Sequence, residues 1–332
     1  MSPNSPDVPI LRQLIQAGDN HVSGEDLAET IGLSRVAVWK RLENLKKSGF
    51  EMEAIRRKGY RLKATPRDAT EPGILARIGK THALSSLTLL ETSPSTNNEV
   101  MRQLAAGVEA PLACLTRRQP GGKGRRGRTW SGDFPENLYA SVGFRPNLRP
   151  KRLGLLTLWT GLRICRRLAT DTKLPIQLKW PNDLYLNGKK LAGILAESTL
   201  ETDQVTALVM GIGMNINMTT NDLPPDIRES ATSLRIALGK SLPLDPIIAT
   251  VLEETLQAMT DCINGIDEDR LADEWEAYAC FQGQRVQILN ADGEATSGTL
   301  SGIDRAGSLL LRKPSGNLES FRAGDVSLRP DQ

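Results

Sequence analysis

The hydrophobic residues of this chain change their spacing twice, which divides it into units that cannot share one packing scheme. Up to about Leu62 they recur at helical spacing behind capping residues. From Ile74 to about Asp273, apolar strands alternate with helical patterns. Over the last fifty or so residues, short alternating runs are broken by Asp-Gly, Ala-Gly and Ser-Gly pairs. A helix buries a stripe of period 3.6 and a half-buried strand a face of period 2, so each change of period marks a change of architecture. The reading is an α/β multidomain chain: a helical unit over 1–64, a polar linker over 65–73, an α+β unit over 74–273 and a small antiparallel β unit over 274–332. A length of 332 residues suits two or three domains of about 100 to 200 residues each.

In the first unit, "ILRQLIQAG" reads as a helix closed by Gly18, and "SGEDLAETIG" as a second, capped by Ser23 and ended by Gly32. Ser34 then caps "RVAVWKRLENLKKSG", which Gly49 terminates. Two helices joined by a tight turn containing glycine form a helix-turn-helix. At about 100° per residue, Val38, Leu42 and Leu45 share a core-facing stripe, while Arg35, Trp39 and Lys46 lie roughly a quarter turn away, with Trp39 at the boundary. Between Ser34 and Lys47 there are five basic residues against one acidic, and "FEMEAIRRKGYRLKA" supplies a basic hairpin, or wing. A charge run alone would read as a solvated face. Helix spacing, basic third helix and basic wing together favour DNA, with Ser34, Arg35, Trp39, Lys40, Lys46, Arg57 and Lys58 as the facing residues. The net charge is only +3, so this preference comes from local clusters.

Composition narrows the chemistry. The N-terminus has no basic segment leading into an apolar one, and no apolar run approaches the roughly 18 residues of a membrane span, which reads as cytoplasmic. Cys114, Cys165, Cys262 and Cys280 lie far apart, suggesting neither a zinc site nor a disulfide framework. With only His21 and His82 available, histidine-based metal or triad chemistry is disfavoured. The work falls to Lys, Arg, Asp and Asn.

Two stretches gather those residues. "QPGGKGRRGRTW", Gln119 to Trp130, holds four glycines and four cations with no acidic residue. The glycines forbid a stable helix. Lys123, Arg125, Arg126 and Arg128 on such a loop suit phosphate or carboxylate oxygens, although a plain basic surface loop has the same composition. It is not a P-loop, since G-x-x-x-x-G-K-[ST] is absent. "QLKWPNDLYLNGKKLAGILAES" reads as a strand stopped by Pro181, then a hairpin through Asn187-Gly188. Lys179, Asn182, Asp183, Lys189 and Lys190 crowd its edges and combine donors with a potential base. "SPSTNNEV" opens a helix, where Thr96 and Glu99 form a capping box. "VMGIGMNIN" is a strand whose Gly211 and Gly213 clear one face for tight packing or for a ligand.

In this order the four stretches resemble the biotin-protein ligases, and with the winged helix-turn-helix the chain looks like their bifunctional form, also a repressor of biotin synthesis genes. The resemblance runs from about Leu11 to Arg329; "KGRRGRTW" and "KWPNDLYL...KKLAGIL" carry it. It implies a biotin/lipoate ligase-like catalytic domain and a C-terminal SH3-like β-barrel. It further implies that biotin and MgATP form biotinyl-5'-AMP, from which biotin passes to a lysine of the biotin carboxyl carrier protein of acetyl-CoA carboxylase. Carried over residue by residue, Ser95, Thr96, Asn97 and Gln119 contact biotin, and Lys123, Gly124 and Arg125 belong to the loop over biotin and adenylate. Lys190 lies near the biotin carboxylate and α-phosphate, and Asp183 is the base for the incoming lysine. Trp130 stacks on adenine; Arg128, Asn182 and Asn215 complete the nucleotide side, and Mg²⁺ is held mainly through the nucleotide. The adenylate is by the same resemblance a corepressor that promotes a homodimer on a two-fold operator.

Two departures from the family pattern stand out. Lys123 replaces a usual arginine, and Trp39 sits where relatives often carry a polar residue, so no operator sequence transfers. The competing readings are a lipoate or octanoyl ligase-like enzyme and a ligand-sensing repressor without catalysis.

Overall fold

The structure is a computed structural model that describes residues 1–79, 81, 84–289, 294–322 and 327–330; His82 and the Asp292-Gly293 turn lie outside the described residues. The N-terminal unit comprises α1 (Asp7–Ala17), α2 (Gly24–Ile31), α3 (Arg35–Lys47), β1 (Glu51–Ile55) and β2 (Gly59–Ala64). The central unit contains α4 (Glu71–Arg77), β3 (Ser86–Thr92), α5 (Thr96–Ala105), β4 (Leu112–Arg118), β5 (Leu138–Phe144) and α6 (Arg152–Thr172). It continues through β6 (Ile176–Lys179), β7 (Asp183–Leu186), β8 (Lys189–Glu201), β9 (Gln204–Met214), α7 (Leu234–Leu238), α8 (Leu244–Asn264) and α9 (Glu268–Tyr278). The last unit is β10 (Arg285–Leu289), β11 (Ala295–Ile303), β12 (Leu309–Arg312), β13 (Leu318–Phe321) and β14 (Ser327–Pro330). No helix among the described residues is long and apolar enough to cross a membrane.

The N-terminal unit is a winged helix-turn-helix. Ser23 Oγ accepts the Asp26 N–H at 3.0 Å, and Ser34 Oγ accepts that of Ala37 at 3.3 Å, so both helices start on a side-chain cap. Val38, Leu42 and Leu45 pack with Ile10, Leu11, Leu14, Leu27 and Phe50. The wing is pinned beneath this core by reciprocal 2.8 Å hydrogen bonds between the backbones of Val22 and Tyr60. Trp39 corrects the sequence reading: it is 54% exposed rather than at the boundary. The small core is filled by the neighbouring leucines and Phe50, which leaves the indole beyond its rim.

The central sheet has seven strands in the order β3-β4-β5-β9-β8-β7-β6, parallel only between β3 and β4, which α5 connects. One face carries the main core against α6 and α8, with Leu178, Leu184 and Leu186 buried in it. On the other face, α5 covers only part of the sheet, packing Val100 and Leu104 over Leu112, Cys114 and Val209. The rest of that face, over β9, β8 and β7, is where a ligand can lie. Asn187 and Gly188 have φ of 51° and 76°, the two left-handed residues of a tight hairpin. The C-terminal SH3-like unit is a five-stranded antiparallel sheet, β13-β12-β11-β10-β14. It is fastened to the central unit by Trp180 Nε1, which donates to Gly307 O at 3.0 Å, and by Cys280 N–H, which donates to Leu178 O at 2.9 Å.

The stretch expected as a linker is partly built into the fold. Helix α4 begins inside it, and Ala69, Pro72 and Gly73 are buried. Asp245, fully buried at the start of α8, accepts the Thr70 N–H and pairs with the Thr70 hydroxyl, both at 2.7 Å. A Cβ on Gly73 would collide with this carboxylate, so the position requires glycine. Burial raises the Asp245 carboxyl from 3.8 to about 6, against the opposing pull of Thr70, Arg77 and Arg117. A carboxyl whose folded pKa is raised makes the folded state bind the extra proton, so stability falls as pH climbs through that window. Relative to Asp245→Asn, the native chain is expected to lose up to about 3 kcal/mol between pH 3.8 and about 6. Denaturant unfolding of both proteins across that range measures it, and parallel pH courses would overturn it.

Candidate functional site

The open part of the sheet is floored by residues in register. Tyr139, Gly213, Gly193 and Asp183 lie opposite one another across β5, β9, β8 and β7; Ser141, Gly211 and Leu195 form the next row. The glycines matter sterically. A Cβ on Gly213 would strike the Trp130 ring, and one on Gly211 would strike Asn97 Oδ1. The floor thus brings an indole and an amide onto the sheet, enclosing a pocket of about 260 Å³.

One end of the pocket is a buried polar relay. Gln119 Oε1 accepts the Thr96 N–H at 2.8 Å and lies 3.0 Å from the Thr96 hydroxyl. Ser141 Oγ lies 2.7 Å from Thr96 Oγ1 and 2.6 Å from Asn97 Oδ1, while Asn97 Nδ2 donates to Glu197 at 2.6 Å. The capping box expected of Thr96 and Glu99 does not form. Ser95 is the cap, since its backbone is extended and its Oγ accepts the Asn98 N–H, which frees Thr96 to face Gln119. Glu99 pairs instead with Arg102.

The other end is aromatic and cationic. Trp130 lies on Gly213 and Gly193, its Nε1 buried without a hydrogen-bond partner among the described residues. Its ring centroid is 5.5 Å from Lys190 Nζ. Lys190 owes this placement to a register shift: Leu184 faces Ala192 but Tyr185 faces Lys190, so β8 bulges at Leu191. Without the extra residue Lys190 would stand opposite Leu186 on the core face; with it, Lys190 joins Asp183 on the pocket face and pairs with it at 2.8 Å. Lys189 reaches outward toward Glu229.

The glycine-rich stretch closes over this end as a narrow loop. Gly124 N–H donates to Arg128 O at 2.7 Å and Trp130 N–H to Gly122 O at 2.9 Å, and a single 3-10 turn spans Arg125–Gly127. Arg125 Nη1 donates to Asn182 Oδ1 at 3.1 Å, and Asn182 Nδ2 in turn donates to Ile194 O at 2.6 Å. Burial pulls the Arg125 pKa below the ordinary guanidinium value, with Asp183 opposing and Arg126 and Arg128 reinforcing. Burial, aided by Asp183, pushes the Tyr185 phenol up to about 12, so it is neutral at neutral pH. Six cations line the pocket, with Asp183 in the lining and Glu197 beside Lys123 at its edge, an electrostatic field suited to a polyanion.

The structure brings Ser95, Thr96, Asn97, Gln119, Lys123, Gly124, Arg125, Arg128, Trp130, Asn182, Asp183 and Lys190 into one lining. Asn215 is held back from it: its amide donates to Thr232 O at 3.0 Å and its N–H to Leu191 O at 3.0 Å, stitching the bulge in place. The sequence reading missed Ser141 and Glu197. Ser141 was detectable as the lone serine of an otherwise largely apolar strand; Glu197 had no local signal. Lys123 is only half committed to the pocket, since it lies 2.7 Å from Asn98 Oδ1 and 3.6 Å from Glu197.

A winged helix-turn-helix ahead of a mixed sheet with a cationic, indole-walled cleft defines a ligase-type fold with a DNA-binding head. Residues 89–215 match the biotin/lipoate A/B protein ligase family, 9–61 an HTH domain and 281–329 the biotin protein ligase C-terminal domain. The chain is 32% identical over 317 residues to the bifunctional ligase/repressor BirA of Bacillus subtilis, covering 94% of this chain and 95% of the relative. It is 30% identical over 273 residues to the biotin--[acetyl-CoA-carboxylase] ligase of Mycobacterium tuberculosis, covering 79% of this chain and 98% of the relative. The solved biotin protein ligase of Aquifex aeolicus in complex with biotin and ATP aligns with a TM-score of 0.64 at 28% identity, over 75% of this chain and all of that one. The chain belongs to the biotin-protein ligase family, in its bifunctional ligase/repressor form.

The polar relay gives a structural expectation. Gln119→Leu strands the buried Thr96 N–H and is expected to cost about 1–3 kcal/mol of stability. Chemical denaturation measures it, and a loss below about half a kcal/mol would mean the relay is satisfied in another way.

Proposed function

We propose that the relay end of the pocket takes the ureido ring of biotin, the Trp130 end takes the adenine of ATP, and the Asp183–Lys190 pair marks where they react. A ureido group offers both N–H donors and a carbonyl acceptor, the complement of Ser95, Thr96, Asn97 and Gln119, while Ser141 holds Thr96 and Asn97 from behind. The bare glycine floor under Trp130 leaves an aromatic wall for a purine, and the unpartnered Nε1 is a donor a ligand can use. The observation that carries the reading is a single pocket lined at one end by the polar relay and at the other by Trp130 and the cations.

In the first half-reaction a biotin carboxylate oxygen bonds to the α-phosphorus as the bond to pyrophosphate breaks, and pyrophosphate leaves with the electron pair. Two anions must meet, and Lys190 and Arg125 stabilise the charge that builds up. Mg²⁺ comes with the nucleotide: among the described residues, no group of three or more His, Cys, Asp or Glu is placed to hold a metal. In the second half-reaction Asp183 takes a proton from the acceptor lysine, whose amine attacks the anhydride carbonyl and expels AMP. The acceptor is the biotin carboxyl carrier protein of acetyl-CoA carboxylase. Loop 119–130 closes over the adenylate and excludes water from it. The same closure favours a homodimer, so the adenylate acts as corepressor and two winged units meet a two-fold operator of biotin synthesis genes.

The arginine-rich loop weighs against a lipoate or octanoyl ligase, and the Asp183–Lys190 pair against a sensor without catalysis. Incubation with radiolabelled biotin, MgATP and a carrier domain tests both half-reactions; label that fails to reach the carrier, or lipoate outcompeting biotin, would refute the reading. Arg125→Gly is expected to form adenylate but release it, measured as labelled adenylate passing a filter that retains protein. Retention equal to that of the native chain would remove the loop's assignment. Lys190→Ala is expected to slow adenylate formation by about 10²-fold or more, read by pyrophosphate release. Near-native rates would take Lys190 out of the reaction.

A further inference from the structure

Four of the eight large hydrophobic side chains exposed among the described residues, Leu33, Val36, Trp39 and Ile55, belong to the N-terminal unit. Val36 is 66% exposed and Trp39 54%, on consecutive turns near the start of α3. At about 100° per residue, Val36 points directly away from Leu45, a core anchor of the same helix. Arg35 and Lys40 are exposed around this pair, and Arg57 and Lys58 are exposed at the wing tip. A valine and an indole at the centre of a cationic face gain nothing from phosphate oxygens.

We propose that Val36 and Trp39 read thymine C5-methyl groups in the major groove, while the surrounding cations hold the phosphates. The inference rests on the DNA-binding reading of this unit and deepens it by naming the feature recognised. The N-terminal part of a recognition helix is the part that reaches base edges. There the thymine methyl is the apolar group on offer, and guanine would call for a bidentate arginine or lysine instead. Phosphate contacts from Arg35, Lys40, Arg57 and Lys58 fix register but carry no sequence information, so discrimination falls to the two apolar side chains. A second copy of this chain is a poor occupant of the patch, because its cations would meet their own counterparts.

The test uses the full chain with biotin and MgATP. Bound duplexes are enriched from a randomised pool, and each thymine of the best duplex is replaced in turn by deoxyuridine, which removes only the methyl. One or two positions are expected to lose about three- to five-fold in affinity, the worth of burying one methyl group. At those positions Val36→Ala or Trp39→Ala is expected to be indifferent to the same replacement, a coupling a merely structural role would not produce. Lys58→Ala is expected to weaken all duplexes alike and to flatten the salt dependence. If a sequence is enriched but uracil is tolerated at every position, or if the variants keep the native sensitivity, the inference alone falls. If no sequence is enriched, the DNA-binding reading falls and the inference with it.

Discussion

Lys190 and Asp183 face each other only because β8 carries one residue more than its partner opposite Leu184 and Tyr185. In a regular ladder the lysine would point into the core beside Leu186, where an unpaired ammonium is untenable. The bulge instead places it on the ligand face, and the stitching of Leu191 to Asn215 and of Lys190 to the backbones of Ser230 and Thr232 holds the irregularity. The pair in turn organises its neighbours: Trp130 sits beside the ammonium and Arg125 feels the carboxylate. Asn215 therefore supports the site from behind, by fixing the backbone that aims Lys190.

What could be read in the sequence was what depends on short-range physics. The Ser23 and Ser34 caps and the Asn187-Gly188 turn are set within a few residues, and the structure forms all three. The glycine pair at 211 and 213 was legible as a cleared face but not as a seat, because the occupying Asn97 and Trp130 come from distant segments. The helix start at Ser95 was misassigned by one residue. A serine followed by a threonine offers two equivalent caps locally, and only the distant Gln119 recruits Thr96. The bulge was hidden for a similar reason, since a slip of one residue depends on the partner strand.

The linker shows the same limit with a mechanical consequence. Prolines and polar residues made Thr65 to Gly73 read as a spacer, yet Asp245 reaches it from α8 and Arg12 reaches α4 from α1. Arg12 donates to the carbonyls of Ala76, Leu75 and Ile78 at 3.1, 2.9 and 3.0 Å, groups that the end of α4 leaves unpaired. Ala76 packs into the core of the winged unit, while Ile74 and Leu75 pack into that of the central unit. Helix α4 is thus a shared wall, tied to the winged unit by Ala76 and Arg12 and to the central unit by Ile74, Leu75 and the Thr70–Asp245 hydrogen bonds.

The distribution of charge completes the link between site and partner. A net charge of +3 gives no overall field, yet the pocket holds six cations and one carboxylate. The balancing acids are placed elsewhere. Arg163 is neutralised between Glu254 and Asp261 at 2.8 and 2.9 Å, and Arg166 by Glu274 at 2.7 Å, all among the helices on the far side of the sheet. Charges paired in this way contribute little at a distance, whereas in the pocket lining the cations outnumber the carboxylate, even with Lys190 paired to Asp183. The chain therefore carries two separate clusters of cations, one lining the pocket of the central sheet and one on α3 and the wing, with helix α4 packed between the two units.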